Sequence, residues 1–157
     1  MAKKHQLTKS DYLPMDEYKR LLDCLHKDKK FLWELYARLS YCTALRASDV
    51  LTIKWSDILQ RAYMLKTEKK TGKTRKIPFN LQVQNRIEEL YILLKKPDEK
   101  EYIFKSSVTG EPLTIQYVNR TIKTWKKKYD IQIGNFSTHT FRKTFGRSVY
   151  DASENKS

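Results

Sequence analysis

The sequence has few of the residues on which disulfide-rich or disordered chains depend. Its 157 residues include only 2 cysteines, 4 glycines and 4 prolines. Cys24 and Cys42 form no CxxC pair, which predicts reduced thiols and neither a disulfide framework nor a zinc or other metal site. Few Gly and Pro residues, together with 12% aromatics, favour an ordered domain over a flexible tail.

Long apolar runs are also missing. No stretch approaches the roughly 18 apolar residues of a membrane span, and the basic N-terminus lacks the apolar core of a signal peptide. These absences predict a cytoplasmic protein without a membrane partner. A chain of 157 residues is long enough for one domain with a real core, but not comfortably for two.

Acidic residues are scarce relative to basic ones. The chain carries 32 Lys and Arg against 18 Asp and Glu, which gives a net charge of +14. A soluble chain with this balance most often binds a polyanion, and nucleic acid is the leading candidate.

Apolar spacing predicts a mainly helical chain with one small sheet. Helical spacing of apolar residues predicts five helices, and in the last of them Phe141, Phe145 and Val149 recur at i, i+4 and i+8. The first four carry Tyr18, Leu21, Leu22 and Leu25; Leu32, Leu35, Tyr36 and Leu39; Val83, Ile87, Leu90, Tyr91 and Leu94; and Ile115, Val118, Ile122 and Trp125. The second helix is expected to run on toward Leu45, and Ser48 is expected to cap a short helix after it. Tyr63, Leu65 and Thr67 alternate, as do Ile77 and Phe79, which predicts sequence-adjacent strands. The predicted fold class is α+β, mainly α: a helical domain with one small antiparallel β-sheet.

The hairpin expected between these strands contains a segment that imitates a nucleotide-binding loop, Thr71-Gly72-Lys73-Thr74. A phosphate-binding P-loop would need a further glycine at position 67, which is Thr67, and a helix after the loop. An alternating segment with a proline follows instead, so we interpret Gly72 as a turn glycine with positive φ. A P-loop enzyme remains an alternative hypothesis, but we expect the protein not to bind a nucleotide with magnesium. The hairpin is rich in cations, and Glu68 offsets only one of them. This excess of positive charge predicts either a surface that binds phosphate or a merely solvated hairpin.

Two further segments carry charged residues in distinctive positions. In residues 41–58, YCTALRASDVLTIKWSDI, Arg46 follows an apolar helix. In residues 137–145, STHTFRKTF, His139 and Arg142 stand three apart at the start of a helix and therefore share one face. Taken singly, Arg46 could cap a helix C-terminus, His139 could cap a helix N-terminus, and Arg142 could be a solvated charge.

In chain order, these two segments and the hairpin between them resemble the catalytic domain of the tyrosine recombinases, the phage integrase family, over residues 13–150. The first family motif is matched by Leu45, Arg46, Ser48, Leu51, Trp55, Asp57 and Ile58, with Asp49 in place of the usual glutamate. The second is matched by His139, Arg142, Thr144 and Phe145, with Phe141 and Lys143 in place of a leucine and a second histidine. Lys70, just before Gly72, fits the family's active-site lysine best, and Lys73 is the alternative.

The resemblance implies a metal-free and cofactor-free attack of a tyrosine hydroxyl on a phosphodiester of double-stranded DNA. Arg46 and Arg142 would neutralise the phosphate oxygens, and His139 would assist as a donor or proton shuttle. Lys70 would protonate the leaving 5′-oxygen, and Asp49 would support the site from behind. Contacts with backbone phosphates are expected from Lys66, Lys69, Lys73, Arg75, Lys76, Lys126, Lys127, Lys128 and Lys143.

The family's nucleophilic tyrosine lies roughly thirty residues beyond the histidine-arginine motif, and no tyrosine of this sequence occupies that position. Tyr150 is only eight residues after Arg142 on the same predicted helix, about 12 Å along its axis, and is interpreted as a packing or surface residue. We expect residues 1–157 to be a partial catalytic domain, with 1–12 as a lead-in and without the family's core-binding domain. It would bind DNA without cleaving it, as a monomer, although family members act as tetramers. The alternative is an idle DNA-binding or regulatory module on the same fold.

Overall fold

A computed structural model of the chain describes residues 11–155, with side chains described through residue 152. Of the predicted lead-in, residues 1–10 lie outside the described residues. Asp11 is held in place, because its backbone N–H donates to the Asn135 carbonyl (3.1 Å) and its carboxylate accepts from the Gly134 N–H (2.9 Å). The described part of the chain therefore begins with a segment attached to the loop before the last helix.

The predicted fold class is confirmed: the described part of the chain is mainly helical, with one small antiparallel sheet. The elements in chain order are α1 (Met15–Lys27), α2 (Phe31–Thr43), α3 (Ala47–Val50), α4 (Trp55–Ile58), β1 (Tyr63–Thr67), β2 (Thr74–Pro78), α5 (Leu81–Leu93), α6 (Ile115–Lys128) and α7 (His139–Asn155). None of the helices within residues 11–155 is long and apolar enough to cross a bilayer.

Helix α2 lies at the centre of the domain and contacts α1, α5 and α7. Its predicted core positions Leu35, Tyr36 and Leu39 are fully buried. The helix ends at Thr43 and not near Leu45, because Ala44 adopts the left-handed conformation (φ 54°) that terminates helices. This early end leaves the last carbonyls of α2 available to other partners.

The short helix α3 begins two residues earlier than expected, at Ala47 and not after Ser48. Arg46, with extended backbone (φ −65°, ψ 152°), occupies the N-cap position, and no side chain caps the helix. The expectation that Ser48 is the cap is therefore wrong. The backbone carbonyl of Arg46 instead accepts from the N–H groups of Asp49 (2.9 Å) and Val50 (3.1 Å), so Arg46 is fixed at the junction between α2 and α3.

The predicted hairpin is confirmed, with Lys66 opposite Arg75 in its register. Alternation places Met64 and Ile77 on a buried inner face, whereas Tyr63 and Leu65 are on the exposed outer face. Residues 68–73 form the loop, in which Gly72 has φ +71°. This loop joins strand to strand, so it lacks the helix that a P-loop needs to hold phosphate.

The N-terminal end of α7 is fixed by aromatic packing. The Phe141 ring is fully buried and lies 6.3 Å from the Tyr36 ring of α2 and 6.0 Å from the Phe136 ring. The Phe136 ring in turn lies 6.3 Å from the Trp125 ring of α6. Edge-to-face packing of this kind stabilises the start of α7 against α2 and holds the next residue, Arg142, beside the end of that helix.

Candidate functional site

Two arginines from different elements bind the carbonyls that α2 leaves free at its C-terminal end. Arg75 of β2 donates from Nη2 to the Thr43 carbonyl (3.2 Å), and Arg142 of α7 donates from Nε to the Ala44 carbonyl (2.8 Å). The C-terminal end of a helix carries partial negative charge, which stabilises cations there. The end of α2 is therefore the anchor that orients both guanidinium groups.

Arg46 brings a third guanidinium group to the same place. Its Nη1 lies 3.5 Å from Oε2 of Glu68, and Nη1 of Arg75 lies 3.9 Å from the same oxygen. Its positive charge also lowers the pKa of Arg142. We call Arg46, Arg75 and Arg142 the arginine cluster.

The pKa of Arg142 depends on both its burial and the charges of its neighbours. Burial lowers the pKa of Arg142 from its ordinary value, and the positive charges of Arg46 and Arg75 lower it further. Glu68 and Asp49 act in the opposite direction. A guanidinium stays charged at neutral pH, so the three positive charges of the cluster repel one another. An anionic ligand would reduce this repulsion.

His139 lies beside Arg142, as the helical spacing predicted. Ala44, His139, Arg142 and Lys143 line a shallow cleft of about 340 Å³. At the start of α7 the hydroxyl of Ser137 accepts from the His139 N–H (3.3 Å), so a serine side chain supplies a capping bond there. An exposed imidazole beside a guanidinium can donate to, or exchange a proton with, an anion in the cleft.

Asp49 connects α3 to the hairpin loop. Its side chain is almost fully buried, and Oδ1 accepts from the backbone N–H of Lys69 (3.0 Å). Within residues 11–152 its second oxygen, Oδ2, has no hydrogen-bond partner. Asp49 therefore holds the start of the loop that carries Lys70, and its supporting role in the site stays a prediction.

The two candidate active-site lysines are both exposed on the loop. The loop is closed by the Glu68 N–H, which donates to the Lys73 carbonyl (2.8 Å). Neither Lys70 nor Lys73 makes a side-chain contact with the arginine cluster among the described residues. The choice between them stays a prediction.

The other predicted phosphate contacts lie on the hairpin and in the cleft. Lys66 is half-buried on the inner face of the hairpin, where Nζ donates to the Thr52 hydroxyl (2.7 Å) and burial lowers its pKa. Lys76 lies on the outer face, its ammonium 4.4 Å from the centre of the Tyr63 ring. Lys69 is exposed on the loop, and Lys143 lines the cleft.

The lysines at the end of α6 surround a different depression. Lys126 and Lys127 line a cleft of about 460 Å³ with residues 130–133. Lys126 donates to the Gly134 carbonyl (2.9 Å), whereas the ammonium of Lys128 lies 3.2 Å from Oδ2 of Asp28. The charge of Lys128 is thus partly neutralised within the protein.

Sequence reasoning assigned Arg75 to a general phosphate-contacting surface and gave Glu68 no role beyond offsetting one hairpin charge. The structure places Arg75 in the arginine cluster and the Glu68 carboxylate beside Arg46 and Arg75. Alternation was the available signal. Along β2 it puts Arg75 on the inner face with Ile77, and continued one residue beyond the end of β1 it puts Glu68 on the face of Met64. Tyr150, in contrast, is exposed, with the Arg147 guanidinium 5.5 Å from its ring centre, in keeping with a surface residue.

The fold is that of a tyrosine recombinase catalytic domain. A sequence model of the phage integrase family matches residues 11–155, and the chain belongs to this family. Tyrosine recombinases cleave and rejoin DNA strands. The resemblance stated from the motifs is thereby confirmed.

Individual relatives agree with this assignment. "Probable integrase/recombinase YoeC" of Bacillus subtilis (strain 168) is 34% identical over 108 residues, which cover 69% of this chain and 57% of that protein. The lambda integrase catalytic core is 25% identical with a TM-score of 0.67, over 92% of this chain and 85% of that one. XerA recombinase is 25% identical with a TM-score of 0.71, over 91% of this chain and 50% of that one. The chain thus spans about half the length of YoeC and XerA. Lambda integrase residues 75–356 have also been solved bound to DNA.

Proposed function

We propose that this chain binds double-stranded DNA and grips one backbone phosphate between Arg46, Arg142 and His139, as part of DNA cleavage and rejoining by an integrase. The observation that carries the proposal is the convergence of guanidinium groups at the end of α2. Arg142 is bonded to the Ala44 carbonyl, and Arg46 shares the Glu68 carboxylate with Arg75, which is bonded to the Thr43 carbonyl. His139 lines the same cleft as Arg142. The net charge of +14 and the DNA-bound structure of lambda integrase support the choice of DNA as the polyanion.

The roles of the arginines follow from their hydrogen bonds. Because Nε of Arg142 is already bonded to Ala44, its two terminal nitrogens can serve a phosphate, and a planar fork suits two oxygens at once. Arg46 supplies a second fork. Together they would stabilise the negative charge that builds on the oxygens as the phosphorus is attacked.

The proposed reaction transfers the phosphoryl group without metal or nucleotide. A tyrosine oxygen forms a bond to phosphorus, the bond from phosphorus to the 5′-oxygen breaks, and Lys70 gives its proton to that oxygen. His139 would hold or pass on the proton that the tyrosine releases. Asp49 would support the site through the Lys69 N–H.

We further propose that residues 1–157 alone bind DNA without cleaving it and are monomeric, since none of their tyrosines matches the family's nucleophile. The remaining basic residues, on the hairpin and at the end of α6, would contact flanking phosphates and fix the position of the duplex.

Fluorescence anisotropy with a labelled duplex tests the proposal. The logarithm of the affinity should fall linearly and steeply with the logarithm of the salt concentration, because bound lysines and arginines release counterions from DNA. Absence of binding at low salt would contradict it. A suicide substrate nicked near the cleavage position should give no covalent adduct. An adduct on any tyrosine of residues 1–157 would contradict the proposal that these residues alone do not cleave DNA.

A further inference from the structure

Glu68 is an acidic residue buried within a cluster built for anions. It is only 9% exposed, although it begins a loop that otherwise consists of exposed residues. Oε2 faces Arg46 and Arg75, and Oε1 accepts from the hydroxyl of Thr71 (3.1 Å). The carboxylate thus has one oxygen fixed within its own loop and the other directed at two guanidinium groups.

The contacts with the arginines are loose. The separations of 3.5 and 3.9 Å exceed the roughly 2.7–2.9 Å of a tight charge-assisted hydrogen bond. Glu68 therefore contributes charge to the cluster without completing a two-pronged pair with either guanidinium. A ligand with more oxygens and more negative charge can form closer bonds than this carboxylate does.

We propose that Glu68 is an internal anion that occupies the phosphate position between Arg46 and Arg75 in the DNA-free protein, and that a DNA phosphate displaces it. Carboxylate and phosphate oxygens bind the arginine fork in the same planar geometry, so one can replace the other. The inference rests on the proposed function, and it adds Arg75 to the groups that the phosphate contacts.

The proposal predicts the direction in which a substitution at Glu68 changes DNA affinity. If Glu68 competes with phosphate, removing its charge should tighten DNA binding, since the arginines no longer have to give up a partner. If Glu68 only positions Arg46 and Arg75, the same change should loosen them and weaken binding.

The test compares Glu68→Gln with Glu111→Gln, measured by anisotropy on one labelled duplex at fixed salt. Both variants lose one negative charge, but Glu111 is exposed in the turn before Pro112. Glu68→Gln should bind about three- to tenfold more tightly than wild type, because one phosphate contact no longer competes with a protein charge, and Glu111→Gln should stay within about twofold. In an Arg46→Ala, Arg75→Ala background, the gain from Glu68→Gln should fall to that of Glu111→Gln.

Circular dichroism and the melting temperature show whether Glu68→Gln is folded. If it is not, a second variant, Glu68→Asp, takes its place. Glu68→Asp keeps the charge but is one methylene shorter, so its carboxylate should reach the arginines less well and give a smaller gain. Affinity equal to or below wild type in the folded variants overturns the inference while the proposed function stands. Failure of the wild-type protein to bind the duplex at all contradicts the proposed function instead, whatever the Glu68 variants do.

Discussion

Replacing Arg142 by alanine is the perturbation that best measures the phosphate site. The change removes the guanidinium beside His139 and its bond to the Ala44 carbonyl. A hydrogen bond that involves a charged group contributes about 1.5–3 kcal/mol. Loss of one phosphate contact of that strength corresponds to about ten- to hundredfold weaker DNA binding, and the slope of log affinity against log salt should fall by about one unit.

The assay is anisotropy of a labelled duplex across a salt series, with Arg86→Ala as the matched control. Arg86 lies on α5, is paired with Glu89 (3.2 Å), and loses the same charge on substitution. Arg142→Lys separates charge from geometry: it should keep most of the salt slope but lose affinity, because an ammonium cannot form the planar fork.

Stability must be measured in parallel. Loss of the charged Arg142 hydrogen bond to the Ala44 carbonyl should cost about 1.5–3 kcal/mol in the free energy of unfolding, a change that urea denaturation detects. Binding is then compared at a temperature where both variants are folded. If Arg142→Ala and Arg86→Ala show the same affinity and salt slope, the reasoning that places Arg142 on a phosphate is refuted.

Three further substitutions test the structure around the site. Asp49→Ala removes the acceptor of the Lys69 N–H, so hydrogen exchange at Lys69 should speed up and DNA affinity should fall while the core stays folded; unchanged exchange would contradict the link from α3 to the loop. Phe141→Ala should lower the free energy of unfolding by about 3–5 kcal/mol in urea, because a fully buried ring is lost, and a loss below about 1 kcal/mol would argue against this packing. Gly72→Ala should cost about 1–2 kcal/mol in the same measurement, because φ is +71° there; a neutral or stabilising effect would exclude that turn.

Local patterns in the sequence were sufficient for the elements and for part of the site. The apolar spacing of α1 predicted Tyr18, Leu21, Leu22 and Leu25, and all four are buried. The three-residue spacing of His139 and Arg142 likewise predicted that they share one face of a helix, and both line the same cleft. Such inferences hold because a helix fixes which neighbours face the same way.

Contacts between distant parts of the chain could not be predicted in this way. Arg75 belongs to the arginine cluster because β2 lies against the end of α2, and the Thr43 carbonyl is 32 residues away in sequence. The cap of α3 was misassigned to Ser48 for a related reason. The left-handed Ala44 ends α2 early and leaves Arg46 with the extended backbone of an N-cap, so the tertiary junction and not the local preference for serine decides the cap.

A crystal structure of this chain with a DNA duplex tests the central claim most directly. The account predicts a backbone phosphate within hydrogen-bonding distance of Arg46, Arg142 and His139 at the end of α2. A complex in which phosphates contact only the lysines at the end of α6, while this cleft faces away from the duplex, would contradict it.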